Sequence, residues 1–175
     1  MRVALTPHPE TPCAAVDGIS VDLERDGGAL SLRFALAGDI AAIHVPELAG
    51  QKRRDNLWQT TCFEAFVAAG FPAYCEYNFS PSGEWAAYEF DSYRDGLRNA
   101  ATEPPSFFAR SWNGSLELTT RIALPHNGVW QMGLSAVIET LDGAKSYWAL
   151  VHAPGPPDFH HRDCFALELP PSRGA

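Results

Sequence analysis

Residues 53–94 decide the fold class, and they read RRDNLWQTTCFEAFVAAGFPAYCEYNFSPSGEWAAYEFDSYR. Three strand-like runs lie in this segment: Leu57 to Ala68, Tyr74 to Phe79 and Glu84 to Phe90. Apolar and polar residues alternate in them with period two, which is typical of β-strands. Ser80-Pro81-Ser82-Gly83 separates the last two runs, and its proline and glycine suit a tight turn. The segment therefore predicts antiparallel strands joined by hairpins.

The same pattern continues on both sides of this segment. Asp26-Gly27-Gly28, Asn113-Gly114 and Asp142-Gly143 are turn sequences typical of hairpins. Residues 94–105 predict a loop, with one helical turn around Tyr93 to Asn99. Together these features predict an all-β fold, a two-sheet antiparallel sandwich of nine or ten strands. The further predicted strands are Ile19 to Arg25, Ala29 to Leu36, Ile40 to Val45, Phe107 to Trp112, Leu116 to Leu124, Trp130 to Thr140, Ser146 to His152 and Cys164 to Leu169.

Length and composition predict one globular domain over residues 1–175, with its core at about residues 14–169. Hydrophobic residues make up 46% of the chain and charged residues 19%. The formal net charge is −8 and the pI is about 5.1. Nucleic acids and anionic membrane surfaces attract positive proteins, so neither is expected as a partner. No stretch approaches the roughly 20 apolar residues of a membrane span. A small neutral ligand is the open class of partner, and the oligomeric state stays open.

The four cysteines predict a reducing environment. Cys13, Cys62, Cys75 and Cys164 have neither CxxC spacing nor the density of a disulfide scaffold, so buried thiols are expected. The N-terminal residues 1–12 meet three prolines before an apolar core can form, which argues against a signal peptide. A cytoplasmic location follows as an expectation.

Polar groups and aromatic rings alternate on the strands of residues 53–94. If apolar residues pair with apolar ones across the hairpin, Glu64, Glu76 and Asn78 share the face opposite the core. Carboxylates on neighbouring strands repel, so an arginine, a cation or a ligand's hydroxyl donors are expected between them. Arg33, Arg53 and Arg54 are candidate partners of these carboxylates. The alternative is that both glutamates end in salt bridges or solvent.

Aromatic side chains beside fixed polar groups favour the binding of a flat or hydroxyl-rich ligand. Each tryptophan can also be a core residue, and Trp112 and Trp130 are expected at partly exposed positions. The candidate ligand-binding residues are Arg54, Trp58, Glu64, Glu76, Asn78, Trp85, Tyr88, Trp148, His152 and His160.

Catalytic and metal chemistry have less support in the sequence. Asp158, His160 and His161 suggest a metal site, but adjacent histidines on a strand point to opposite sides, and loop-ordering hydrogen bonds explain them as well. No GxSxG motif or phosphate-binding glycine loop is present. An enzyme would be favoured if Glu64 and Glu76 met in a closed pocket with strongly raised pKa values.

Three segments carry a family resemblance: DNLWQTTCFEAFV, YCEYNFSPSGEWAAYEFDSYR and YWALVHAPGPPDFHHRDCFALEL. In them the sequence resembles the bacterial DOMON-like proteins, relatives of the type 9 carbohydrate-binding modules and of DOMON domains. The resemblance implies an immunoglobulin-like β-sandwich over nearly the whole chain. Its most specific part is the order Asp55, Trp58, Glu64, Phe66, Tyr74, Glu76, Asn78, Pro81 and Gly83.

Relatives of this kind bind sugars or haem. For haem, the methionine and histidine that could serve as axial ligands here are Met132 and His152. A divalent cation near Glu64 and Glu76 is a further possibility by analogy. The leading hypothesis is a non-catalytic domain, without a required cofactor, that binds a saccharide or similar small molecule. A haem or redox domain and a protein–protein interaction module are the alternatives.

Overall fold

The computed structural model describes residues 1–124 and 128–171, and this part of the chain is almost entirely β-structure. Its short 3₁₀ helices are Ile40–Ala42, Leu57–Gln59 and Arg162–Cys164. None of the helices described is long and apolar enough to cross a membrane. The strands are β1 (Arg2–Pro7), β2 (Val16–Asp26), β3 (Ala29–Gly38), β4 (Lys52–Arg53), β5 (Cys62–Gly70), β6 (Ala73–Phe79), β7 (Glu84–Phe90), β8 (Arg98–Asn99), β9 (Ser106–Trp112), β10 (Ser115–Ala123), β11 (Trp130–Glu139), β12 (Lys145–Ala149) and β13 (Leu167–Leu169).

The strands form one hydrogen-bonded path in the order β4-β7-β6-β5-β11-β12-β1-β2-β3-β10-β9. β13 pairs with β11 and β8 pairs with β7 beside this path. Neighbours are antiparallel except for β4 and β7. β1 joins the two halves, because Arg2 to Leu5 pair with β2 whereas Thr6 and Pro7 pair with β12. The all-β prediction is confirmed, but the described part has 13 strands, 11 on the continuous path and two beside it, and not the predicted nine or ten.

The path curls so that its two halves face each other across one core. Phe34 of β3 lies against Phe63 of β5 with ring centroids 5.1 Å apart. Alternate residues are buried over residues 19–23 of β2 and 30–36 of β3, because alternate side chains point to the same face. Leu118 of β10 and Tyr77 of β6 belong to the same cluster. Burial of these side chains is the main source of stability.

The hairpin turns read from the sequence are confirmed. Gly27-Gly28 connects β2 to β3, and Asn113-Gly114 connects β9 to β10. In the turn after β6, Ser80 donates its N–H to the Glu84 carbonyl oxygen at 2.9 Å. Gly83 has a φ of +94°, which favours glycine.

Several strand boundaries differ from the predictions. β1 was not predicted, because its prolines concealed a strand whose outer side is exposed. Ile40 to Val45 begins as a 3₁₀ helix, with the Asp39 carboxylate accepting a hydrogen bond from the Ala41 N–H at 3.2 Å. Leu57 begins another 3₁₀ helix, so the next strand starts only at Cys62.

Other local predictions also need correction. The expected helical turn around Tyr93 to Asn99 is a bridge between Ser92 and Asp95 followed by the short β8. A 3₁₀ helix from Arg162 to Cys164 precedes the closing strand, which is only three residues long. Trp130 is 1% exposed, because it lies on the core face of β11 under the guanidinium of Arg25. All four cysteines are unpaired; Cys62 and Cys164 are buried, whereas Cys13 and Cys75 are partly exposed.

Candidate functional site

The outer face of β5, β6 and β7 carries the acidic and amide side chains. Glu64 pairs with Asn78 across the β5–β6 ladder, and Phe66 pairs with Glu76. Phe63 and Ala65 point into the core instead. The predicted register, with Glu64, Glu76 and Asn78 on one face, is confirmed.

A cavity of about 880 Å³ lies over this face. Its size falls within the roughly 300–1,000 Å³ of small-molecule sites. Exposed Trp58 and Leu97 lie on its wall, so the cavity is open to solvent and not closed. Its polar walls consist of Asp55, Asn56, Glu64, Glu76, Arg94, Arg98, Asn99 and His160. Its apolar and aromatic walls consist of Trp58, Phe66, Tyr88, Phe90, Leu97, Val137, Tyr147, Pro157 and Phe159.

Glu64 and Glu76 form a buried acidic pair at the base of the cavity. Glu64 is 3% exposed and accepts a hydrogen bond from the Ser135 hydroxyl at 3.1 Å. Burial and the nearby charge of Glu76 raise the pKa of Glu64 to about 8. Burial also raises the pKa of Glu76, although Asn78 donates a hydrogen bond to this carboxyl at 2.7 Å. The pair therefore retains a proton at neutral pH.

His160 lies inside an aromatic cluster next to this pair. Its ring meets Phe66 and Phe90 edge-on, at centroid distances of 5.2 and 5.1 Å. Burial lowers the pKa of His160 to about 4, so the imidazole is neutral at pH 7. Nδ1 lies 2.8 Å from the Tyr74 hydroxyl, and Nε2 lies 3.7 Å from a Glu76 oxygen. If Tyr74 donates to Nδ1, the Nε2 proton faces Glu76.

Asp158 links its own loop to the loop after β7, at the edge of the cavity. Its carboxylate accepts hydrogen bonds from the Tyr93 hydroxyl at 2.5 Å and from the Arg94 guanidinium at 2.8 Å. These bonds hold the pKa of Asp158 below its usual value against the effect of burial. The loop that carries Phe159 and His160 is thereby held over the outer face of β6 and β7.

Trp58 and Tyr88 present aromatic surface at the mouth of the cavity. Leu57 packs with Cys62 and Ala86 and anchors the short helix, whereas the next residue, Trp58, is 48% exposed. The Tyr88 hydroxyl donates to Asp55 at 2.7 Å. This arrangement offers ring faces beside fixed polar groups, which suits a ligand with both apolar and hydroxyl surfaces.

The cavity brings together five of the predicted ligand-binding residues: Trp58, Glu64, Glu76, Tyr88 and His160. Asn78 is fully buried behind them and contacts Glu76, so it supports the wall without being accessible.

Four other predicted residues lie outside this cavity. Trp85 and Trp148 are 8% and 4% exposed and belong to the core, because they occupy inward-facing strand positions. Arg54 pairs with Glu84 at 3.1 Å, outside the cavity. His152 lies beside His8, with Nε2 2.9 Å from the Thr6 carbonyl oxygen.

In the part of the chain that the structure describes, the residues predicted to bind haem or a metal ion do not come together. Met132 is fully buried on the core face of β11, whereas His152 lies with His8 and Phe159. The two therefore do not form an axial pair. Among residues 1–124 and 128–171, no group of three or more His, Cys, Asp and Glu could hold a metal ion. In the predicted loop site, His161 instead lies next to Asp163, at 3.6 Å.

Several cavity residues were not identified from the sequence. Arg94, Arg98 and Asn99 lie in the segment predicted as a loop, and Tyr147 and Phe159 come from distant parts of the chain. Asn99 pairs with Tyr88 through β8, which brings it to the site. Phe66 and Phe90 could have been identified from the sequence, because alternate residues of a strand face the same side. Phe66 lies two residues after Glu64, and Phe90 lies two residues after Tyr88.

Comparison with solved structures supports the fold. No family model and no curated protein matches the chain. A candidate carbohydrate-binding protein from Bacteroides uniformis has a similar structure, with a TM-score of 0.68 at 13% identity over 94% of this chain and 83% of that chain. A family 9 carbohydrate-binding module from Caldicellulosiruptor kristjanssonii, in complex with cellotriose, gives a TM-score of 0.47 at 15% identity over 79% and 67% of the two chains. The glucose complex of a family 9 module from the same organism gives 0.45 at 16% identity over 79% and 69%. Scores of the latter size do not establish a shared fold.

Proposed function

We propose that this chain is a non-catalytic domain that binds a saccharide or similar small molecule in the cavity over β5, β6 and β7. The observation that carries the proposal is the open cavity that sets the exposed indole of Trp58 beside the buried acidic pair. Sugars have apolar ring faces and polar hydroxyl edges, and this wall offers partners for both. Membership of the DOMON-like family and a cytoplasmic location belong to the proposal and stay predictions.

The shape of the site favours binding over glycoside hydrolysis. Glycosidases place two carboxyl groups on opposite sides of the scissile bond. Glu64 and Glu76 instead lie side by side on one sheet face, two residues apart in register. Their raised pKa values fit an acid catalyst, but the open cavity lacks the closure that would exclude water.

The fold comparison adds independent support. The Bacteroides uniformis protein shares the architecture over most of both chains and is described as a candidate carbohydrate-binding protein. We propose that this chain also uses this architecture to bind a carbohydrate.

Binding to a panel of mono- and oligosaccharides, measured by calorimetry, tests the proposal. Removing the indole in a Trp58→Ala variant should weaken binding by about 5- to 30-fold, since a stacked ring contributes on the order of 1–2 kcal/mol. Trp112→Ala is the matched control, because Trp112 is 44% exposed but lies on β9 and does not line the cavity. The proposal fails if no sugar binds, or if both variants bind as the wild type does.

A further inference from the structure

Neither carboxyl of the acidic pair forms an ion pair with a lysine or arginine in the part of the chain that the structure describes. Glu64 forms no ion pair with any described residue, and only its Oε2 atom has a hydrogen-bond partner in that part of the chain, the Ser135 hydroxyl. Nε2 of His160 lies 3.7 Å from a Glu76 oxygen, and burial holds this imidazole neutral. The charge of Arg94 lowers the pKa of Glu76, but the effect of burial is larger and the pKa stays raised. A buried carboxyl that is exposed only to a cavity is best stabilised as an ion by a cation that enters the cavity.

The arginines on the cavity wall are already engaged. Arg94 binds Asp158 at 2.8 Å. Arg98 binds Glu89 at 2.9 Å and Asp91 at 2.6 Å. Both arginines are therefore paired with other carboxylates, and neither forms an ion pair with Glu64 or Glu76.

Aromatic rings surround the same space. Phe66, Tyr88 and Phe90 lie on the sheet face with the acidic pair, and Phe159 lies on the covering loop. The faces of aromatic rings attract cations, and the attraction is larger where water is displaced. Carboxyl groups within aromatic walls are suited to an ammonium group more than to a neutral hydroxyl.

Building on the proposed function, we infer that the cavity prefers a sugar that carries a protonated primary amine, such as a 2-amino-2-deoxyhexose, over the corresponding neutral sugar. The ammonium group donates hydrogen bonds to the carboxyl oxygens of Glu64 and Glu76. The sugar ring lies toward Trp58 at the mouth. No covalent bond changes in this process.

Binding of the ammonium group also moves a proton. The pair retains a proton at neutral pH, and a cation beside it favours the ionised form, so the proton leaves to the buffer on binding. The other titratable or charged groups that face the pair or the cavity are Cys62, Tyr74, Tyr88, Tyr147, Asp55, Arg94, Arg98, Asp158 and His160.

Calorimetry with three sugars at neutral pH tests this inference: glucosamine, glucose and N-acetylglucosamine. Glucosamine should bind about tenfold more tightly than the other two, because hydrogen bonds to charged groups exceed neutral ones by about this factor. Titrations in buffers with different ionisation enthalpies should show proton release with glucosamine alone.

Glu64→Gln should bring the ratio of the glucosamine and glucose affinities close to one. Glu117→Gln, which alters a buried glutamate on β10, should keep the ratio of the wild type.

The outcomes separate this inference from the proposed function. Equal binding of the three sugars, or tighter binding of glucose, overturns the preference for an amine and leaves sugar binding intact. Glucosamine binding that is tighter but independent of Glu64 also overturns it. If none of the three sugars nor any sugar of the wider panel binds, the proposed function fails, and the inference fails with it.

Discussion

At the scale of single residues, two buried glutamates differ in their surroundings. Glu64 is 3% exposed and faces only neutral groups and another carboxyl. Glu117 is 6% exposed, but Arg110 and Arg33 bind it from neighbouring strands and hold its pKa below the usual value. Burial alone does not set the charge of a carboxyl; the partner placed beside it does.

Replacing Glu64 by glutamine should change how stability depends on pH. The folded-state pKa of Glu64 is about 8, above the usual 4.5, so between these values the folded protein holds a proton that the unfolded chain has lost. Stability of the wild type therefore falls as the pH rises from about 4.5 through about 8. Glu64→Gln should match the wild type in acid and exceed it by roughly 5 kcal/mol at about pH 9. Urea denaturation across this range measures the difference.

Glu117→Gln supplies the control with the opposite sign. Its lowered pKa stabilises the fold above the unfolded pKa, and this contribution is lost as the pH falls. The variant should be less stable than the wild type at neutral pH and should approach it in acid. A Glu64→Gln profile that runs parallel to the wild type at every pH would contradict the assigned ionisation.

His160 should titrate unusually low. Its pKa is lowered to about 4 by burial, so between about 4 and the usual 6.5 the unfolded chain binds a proton that the folded protein does not. Protonation of His160 thus destabilises the fold as the pH falls through this window. Nuclear magnetic resonance of the imidazole protons should give a midpoint near 4. A midpoint near the usual value would show that the aromatic cluster does not enclose the ring.

At the scale of elements, one tight turn holds the long crossing segment against the sheet. The Ala49 N–H donates to the Ser82 carbonyl oxygen at 2.8 Å. Gly83 has a φ of +94°, and a Cβ atom there would lie 3.1 Å from the Gly50 carbonyl carbon. The turn between β6 and β7 and the segment before β4 therefore fit together without strain when position 83 is glycine.

Gly83→Ala should lower the free energy of unfolding by about 1–3 kcal/mol, because it adds backbone strain and a close contact. Gly70→Ala is the matched control: a Cβ at this exposed position of β5 meets nothing within 4 Å. The control should lie within about 0.5 kcal/mol of the wild type. Chemical denaturation measures both, and equal effects of the two substitutions would contradict the role of the turn.

At the scale of the whole molecule, β1 couples the two halves of the strand path. It pairs with β2 in one half and with β12 in the other. Leu5 is 4% exposed and contributes to the shared core. The two halves also share side-chain contacts such as Phe34 with Phe63, so the chain should unfold as one cooperative unit.

Leu5→Ala should reduce stability by about 2–4 kcal/mol and should do so in both halves. The slowest amides of β3 and of β5 should exchange faster by the factor that corresponds to this loss in the free energy of unfolding. Arg2→Ala, at an exposed position of the same strand, should change the exchange little. Acceleration confined to one half would show that β1 does not couple them.

Much of the architecture could be predicted from local patterns. Period-two alternation placed β5, β6 and β7, and the segregation of polar from apolar residues gave the register that unites Glu64 with Glu76. The errors fall where tertiary contacts override local preference. Trp85 and Trp148 looked like ligand-stacking rings, but a tryptophan on a strand faces the core or the solvent according to its register, and both face the core.

The sequence by itself determined most of the longer strands, their turns and the shared face of the acidic pair, because strand periodicity and glycine-containing turns are properties of neighbouring residues. The tertiary structure alone decided that β1 connects the two halves, and that Arg94, Asn99 and Phe159 meet Glu64 and Trp58 around one cavity. It also decided the charge of the site, since the pKa of Glu64 depends on burial and on partners far away in the chain. Such contacts arise only when the sheet curls, and no local pattern encodes them.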